Sequence, residues 1–243
     1  MNSYQVNRGI REAIAFSAIV DIDGVMNPKT GGFHVVQDAI DDGHKSIFVR
    51  DGTYPKFLLN QESVTIVGES WDVHIKAEVS ETAIMIEEAY CKIKNLRAST
   101  PAGGGQTFHA FANQSNATYC LIEDCACFES DSDGIFQYAT QLTIRGGRYT
   151  GCDRNGISII TPYATVAGVY STDNGSDGVY IGNGTGDNSL VTGCVLVDNG
   201  QYGVNIAAGD ENCVIVGNRV GGNTTGQISD ASGTSTVTGN NEN

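Results

Sequence analysis

Proline is scarce in this chain, with 4 residues among 243, and tryptophan occurs once. No run of 18 apolar residues is present, which excludes a membrane-spanning helix. The first residues, Met1 to Arg8, lack the basic stretch, apolar core and small-residue cleavage site of a secretory leader. Either this is a mature form, or the chain folds in a cytoplasm without a signal peptide and reaches a virion or extracellular destination by another route. Cations are few: 14 Lys and Arg stand against 28 Asp and Glu, a net charge of -14. That balance disfavours nucleic acid and anionic membranes as partners, and polyanionic substrates too unless Ca²⁺ bridges the charges. Seven cysteines contain no CxxC, and no His lies at ligand spacing from Cys125 and Cys127, so neither a redox motif nor a zinc site is expected. They read as reduced, buried residues, although Cys91 and Cys120 fall at stacking positions that leave a bridge open.

What is abundant is glycine, 31 residues, alongside many Asn, Asp, Ser and Thr: the composition of short strands joined by tight turns. An apolar β residue followed two positions later by Gly, Asn or Asp keeps returning. It occurs at Ile66/Gly68, Ile93/Asn95, Ile122/Asp124, Ile144/Gly146, Val166/Gly168, Val191/Gly193, Ile215/Gly217 and Val237/Gly239. A period of some 22 to 29 residues is that of a solenoid, in which each repeat buries its apolar face only against its neighbours. Gly, Asn and Asp tolerate a left-handed backbone, so the second position reads as a corner made once per coil. Gly134, Gly156, Gly178, Gly203 and Gly226 mark a second anchor, each preceding a short strand.

Ahead of the repeats, residues 10–15 are compatible with a short helix and Ala18 to Ile22 with a strand. Phe33, Val36 and Ile40 recur at helical spacing, and Gly43 ends the run, predicting a capping helix over 33–40. That run, then Ser46 to Tyr54, then Ser63 to Ser70, resembles the entry of right-handed parallel β-helix proteins of the pectate-lyase-like superfamily. The resemblance implies an all-β, right-handed parallel β-helix with a short N-terminal capping helix: residues 1–45 the N-terminal segment and cap, 46–243 a single β-helix domain. It is specific for fold and silent on function, since the superfamily spans lyases, hydrolases, esterases, epimerases and non-catalytic viral proteins.

Strand alternation places Ile135 and Gln137 inward and Phe136 and Tyr138 outward. The same reading puts Met85, Glu87, His109, Phe111, Ser158, Ile160 and Tyr180 outward, giving one sheet a partly aromatic stripe suited to a sugar face or to another subunit. Nearby polar residues define the candidate chemistry. Asp131 and Asp133 form a carboxylate pair for glycosidic hydrolysis. His109 with Tyr138 and Arg154 would support proton abstraction beside a uronate. Gln106 with Asp131 or Asp133 loosely resembles a pectin methylesterase pair, but the second Asp and its Arg partner are absent. The hallmark runs of polygalacturonases, alginate epimerases and pectate lyases are absent too. Glu129 to Gly134 and Asp173 to Gly178 begin like Ca²⁺ loops and lack the twelfth-position Glu, so no cofactor is expected unless these turns hold Ca²⁺. Five N-x-S/T sequons reflect composition. Two functions follow as expectations. One is a non-enzymatic, carbohydrate-contacting or structural module resembling phage tail-spike or fibre proteins, assembled as a homo-oligomer such as a trimer. The other is a polysaccharide-active lyase, epimerase or hydrolase.

Overall fold

The computed structural model describes residues 16–23, 32–103, 105 and 107–242. Among them the chain winds into about eight parallel coils whose strands stack into three sheets of eleven, nine and eight strands. Each coil visits the first, second and third sheet in turn. The all-β parallel β-helix is the fold the repeat demanded. The predicted capping helix is shorter than expected: Val36–Asp41, with Val36, Ala39 and Ile40 buried. Phe33 instead belongs to the strand Gly32–Phe33, which pairs with Ala18–Val20 and through it with Ser46–Val49. The first sheet thus begins before the helix. The expected helix over 10–15 lies outside the described residues.

The apolar anchors form one column in register, Ile66, Ile93, Ile122, Ile144, Val166, Val191, Ile215 and Val237. All but the last are buried, and burying each such side chain contributes roughly 1.5–3 kcal/mol. The residue two positions on has positive φ in seven of the eight coils, between 50° at Asp124 and 68° at Gly217. Gly68 is the exception. There the requirement is space, because a Cβ would lie 2.2 Å from the Asn95 carbonyl oxygen. Crowding also explains the second glycine series: a Cβ on Gly134 would meet the carbonyl of Gly156 at 2.6 Å, and one on Gly178 that of Gly203 at 2.7 Å.

A further left-handed corner, between the third and first sheets, carries no such signature. Ser63, Tyr90, Tyr119, Gln141, Tyr163, Asn188 and Asn212 occupy it, with φ between 57° and 64°. The three tyrosines there remain about half exposed, and the rings of Tyr90 and Tyr119 stack at 5.3 Å.

All seven cysteines are buried free thiols, including Cys91 and Cys120. Several buried asparagines are paired along the axis. The Asn174 amide donates to Asn199 Oδ1 at 2.9 Å, Asn199 to Asn223 Oδ1 at 3.0 Å, and each acceptor also takes a backbone N–H of the coil before it. Asn218 and Asn240 repeat the arrangement at the first corner. Asn113, Asn174 and Asn223, three of the five sequon asparagines, are thus buried framework residues.

Replacing Asn199 with Ala removes the acceptor of two Asn174 donors and leaves them buried. Urea unfolding is expected to show a loss on the order of 3 kcal/mol, against a change within about 0.5 kcal/mol for the exposed Asn116→Ala. Equal effects would show that the ladder adds nothing.

Candidate functional site

The outward row of the third sheet runs in register through Leu58, Met85, Ala112, Phe136, Ser158 and Tyr180. Phe111 is not in it. It points inward between Ile84 and Ile135 and is fully buried, so its assignment as an outward binding residue is corrected. The segment Phe108 to Asn113 offers aromatics in both phases of the alternation, and the preceding insertion removes the coil length that would have fixed the phase. Asn113 follows Phe111 inward, its Oδ1 accepting from the Tyr138 amide at 2.7 Å. Ser158 sits at an outward position between Phe136 and Tyr180 but is only 2% exposed.

Two adjoining depressions of about 530 and 320 Å³ lie over this row and share Thr82, Met85, Phe108 and Gln114, so they form one groove. Its floor is apolar at Leu58, Met85, Ala112 and Phe136. Phe108 and Thr107, from the insertion between the second and third sheets, border it. Polar groups stand at the rim: Lys56 pairs with Glu81 at 2.6 Å, and Glu87 accepts from Gln114 at 3.0 Å. Tyr138, half exposed, stands at one end. Ile160 and Tyr180 lie farther along the sheet and do not line the groove. Leu58, Lys56, Phe108, Ala112 and Gln114 escaped the sequence reading. Leu58 was accessible to it, being the position one repeat before Met85.

His109 lies flat on Phe136, ring centroids 4.4 Å apart and planes 10° from parallel. Its Nδ1 accepts from the Asp133 backbone N–H at 3.3 Å and lies 3.4 Å from Asp133 Oδ2. Burial, with the nearby Arg154 charge, lowers the His109 pKa to about 4, and Asp131 partly opposes this. A neutral ring accepting at Nδ1 forms no ion pair with Asp133 at neutral pH. Burial raises the Asp133 pKa, against the opposing pull of Arg154 and Asn155. Asp133 Oδ1 is held by the Asn155 backbone and side-chain amides at 3.0 and 2.9 Å. Asn155 Oδ1 in turn accepts from the Asp177 amide, so Asp133, Asn155 and Asp177 form an axial column. Asp131 is also buried and accepts from the Gly103 amide at 2.9 Å, while its own N–H donates to Thr100, which ties the insertion to the turn. Arg154 is exposed. The structure therefore brings His109, Asp131, Asp133 and Arg154 together, but turns the two carboxylates into the framework. Gln106 lies outside the described residues. Among those described, no three His, Cys, Asp or Glu side chains converge as a metal site, and no helix is long and apolar enough to cross a membrane.

With strands, corners and groove in place, the chain matches the family model described as right handed β-helix region over residues 75–241, more than half its length. The chain belongs to the right-handed β-helix family. No curated protein matches it by sequence. Among solved structures, this β-helix is similar to the mannuronan C-5 epimerase AlgE6 A-module of Azotobacter vinelandii, with TM-score 0.63 and 16% identity over 92% of this chain and 74% of that one. It is also similar to the enzymatically active domain of tailspike protein 2 of bacteriophage CBA120, with TM-score 0.57 and 13% identity over 86% of this chain and 40% of that one. Pectin methylesterase of Aspergillus niger gives TM-score 0.53 and 16% identity over 95% and 86%. At these identities the likeness is one of fold.

The lowered His109 pKa has a signed consequence. The unfolded chain takes up this proton near pH 6.5 and the folded chain near 4, so the residue withdraws stability as pH falls through that window. His74, likewise near 4, acts in the same direction, and the raised Asp133 in the opposite one. NMR titration of His109 in the folded protein is expected to find its midpoint near 4. A midpoint near 6.5 would mean that the ring is solvated and the stack on Phe136 open.

Proposed function

We propose that the groove on the third sheet holds a carbohydrate and that the chain works as a glycan-contacting β-helix module rather than a catalyst. The observation that carries this is the contrast within the site. The groove floor is apolar and aromatic, bordered by amide, carboxylate and ammonium groups that suit sugar hydroxyls, while Asp131 and Asp133 are committed to backbone amides. A general acid or nucleophile must reach its substrate, and neither carboxylate is presented to the groove in this way. Two of the structural neighbours are named for action on carbohydrate polymers, mannuronan and pectin, and another is a phage tailspike, which is consistent with glycan contact on this scaffold.

One observation favours the second reading, a polysaccharide-active enzyme. His109 and Asp133 form a buried pair shifted in opposite directions beside a groove, as acid–base sites often are. Equilibrium binding to a panel of neutral and acidic polysaccharides, with product analysis on the same mixtures, separates the two. Wild type is expected to bind one polymer without generating reducing ends, unsaturated uronate, methanol or an epimerised product. Phe136→Ala and Met85→Ala should each weaken that binding about tenfold, since each removes apolar floor. Product formation that disappears in His109→Ala would replace this reading with the enzymatic one.

We further infer that the module acts as a homo-oligomer, the reading consistent with its exposed tyrosines Tyr90, Tyr119 and Tyr163. Light scattering after size exclusion is expected to give a multiple of the chain mass, three being the expected number. A monomer across a hundredfold concentration range would remove the assembly reading and leave glycan contact standing.

A further inference from the structure

The outward face of the second sheet differs in charge from the rest of the chain. Its nine strands contain four of the 14 Lys and Arg, namely Lys76, Arg97, Arg148 and Arg219, and one of the 28 acids, Glu242 in the last coil. Arg97, Arg148, Tyr170 and Arg219 occupy a single outward register row. Among the described residues none of these three arginines has a carboxylate within ion-pair distance, and Arg97 Nε is buried with no hydrogen-bond partner. The row's His74 is neutral near pH 7, its pKa lowered to about 4 by burial and by the charges of Arg97 and Lys76.

Beside Arg148 lies a shallow depression of about 440 Å³, separate from the groove on the third sheet. Trp71 and Tyr170 border it, and Gly146, Gly147 and Gly168 contribute backbone without side chains. Trp71 is held in place by its Nε1–H bond to the Asp124 carbonyl at 2.6 Å and by an edge contact with Phe128, centroids 6.1 Å apart. Tyr170 is more than half exposed. Asp124 is the one acid at the rim. Aromatic side chains around an open floor suit the flat face of a pyranose ring, and an adjacent unpaired guanidinium suits a carboxylate.

We propose that this face binds a linear acidic polysaccharide laid along the axis of the helix. At about 4.8 Å per strand, Arg97 and Arg148 stand about 10 Å apart, and Arg148 and Arg219 about 14 Å. A small anion cannot bridge those gaps, whereas a polymer with carboxylates at intervals meets each guanidinium in turn. Duplex DNA, with a charge every ~1.7 Å, would be left largely unneutralised by so sparse a row and repelled by the remaining acids. The surface therefore selects a polyanion of low charge density, and the chain's overall charge of -14 does not exclude one.

Affinity electrophoresis through gels containing polygalacturonate, dextran or a single-stranded oligonucleotide tests this, at about 20 and about 200 mM salt to expose the screened component. The wild-type chain is expected to be retarded by polygalacturonate, more strongly at low salt, and not by dextran. The doubly substituted Arg148→Gln, Arg219→Gln chain should bind at least about tenfold more weakly, and Trp71→Ala should also lose retardation. The exposed Asn116→Ala, outside both depressions, should leave it unchanged. Both arginines are exposed, and an unchanged thermal midpoint would confirm that the double variant is folded. Absence of retardation in the wild type, equal retardation in the double variant, or an oligonucleotide bound as tightly as polygalacturonate would each overturn the proposal. Retardation kept in the double variant and lost in Phe136→Ala would place the polymer in the groove of the third sheet instead, whereas loss in the double variant alone leaves that groove to its own test.

Discussion

Every coil of this molecule must hydrogen-bond to the coils above and below it, because a parallel strand has no hairpin partner of its own. That constraint sets the rest. The chain has to turn at the same three places in each circuit, or the strands lose register and their inward and outward faces exchange. A left-handed residue achieves the first turn in seven coils, and a different left-handed residue achieves the third. The anchor column from Ile66 to Ile215 is the packing consequence of those corners. Its side chains stack because the backbone returns to the same place, and stacked β-branched side chains exclude water along the whole axis.

The same geometry decides which polar groups are available for function. A residue that repeats at one corner can satisfy its buried amide only along the axis, so the Asn174–Asn199–Asn223 and Asn218–Asn240 ladders are structural by position. Asp133 belongs to this class more than to the site, since its Oδ1 extends into a column with Asn155 and Asp177. Its Oδ2, facing His109 without a hydrogen-bond partner among the described residues, is what keeps the pair of interest. A buried carboxylate half committed to the framework and half unpaired carries a desolvation cost, and its raised pKa expresses that cost.

Much of this was legible in the sequence where the physics is local and periodic. The Gly, Asn and Asp corners could be read because few residues tolerate positive φ, and the inward Ile and Val because alternation follows from the strand itself. The third-to-first corner could not, since Tyr90, Tyr119 and Tyr163 adopt a backbone that their side chains disfavour and only the stacking of coils imposes. The site was half legible for a similar reason. Met85, Phe136 and Tyr138 follow from register, but the insertion after Ser99 breaks the period, so Phe111 was placed on the wrong face and Phe108 went unnoticed. The commitment of Asp131 to Gly103 and of Asp133 to Asn155 depends on distances across 22 to 28 residues, which no local pattern encodes.

Net charge illustrates how far a chain-wide sum falls short of a surface. Composition gives -14, from which repulsion of polyanions follows if the charges are spread evenly. They are not, because the fold assigns residues to faces by register. Arg97, Arg148 and Arg219 lie 51 and 71 residues apart in sequence, yet the register brings them onto one row. With a screening length of about 8 Å at physiological salt, a ligand on that row feels the row and the turns beside it, the exposed Asp173 and Asp198 included, while acids on the opposite side of the helix are largely screened. In a solenoid, electrostatic character is a property of each sheet, and it is at that scale that partners have to be inferred.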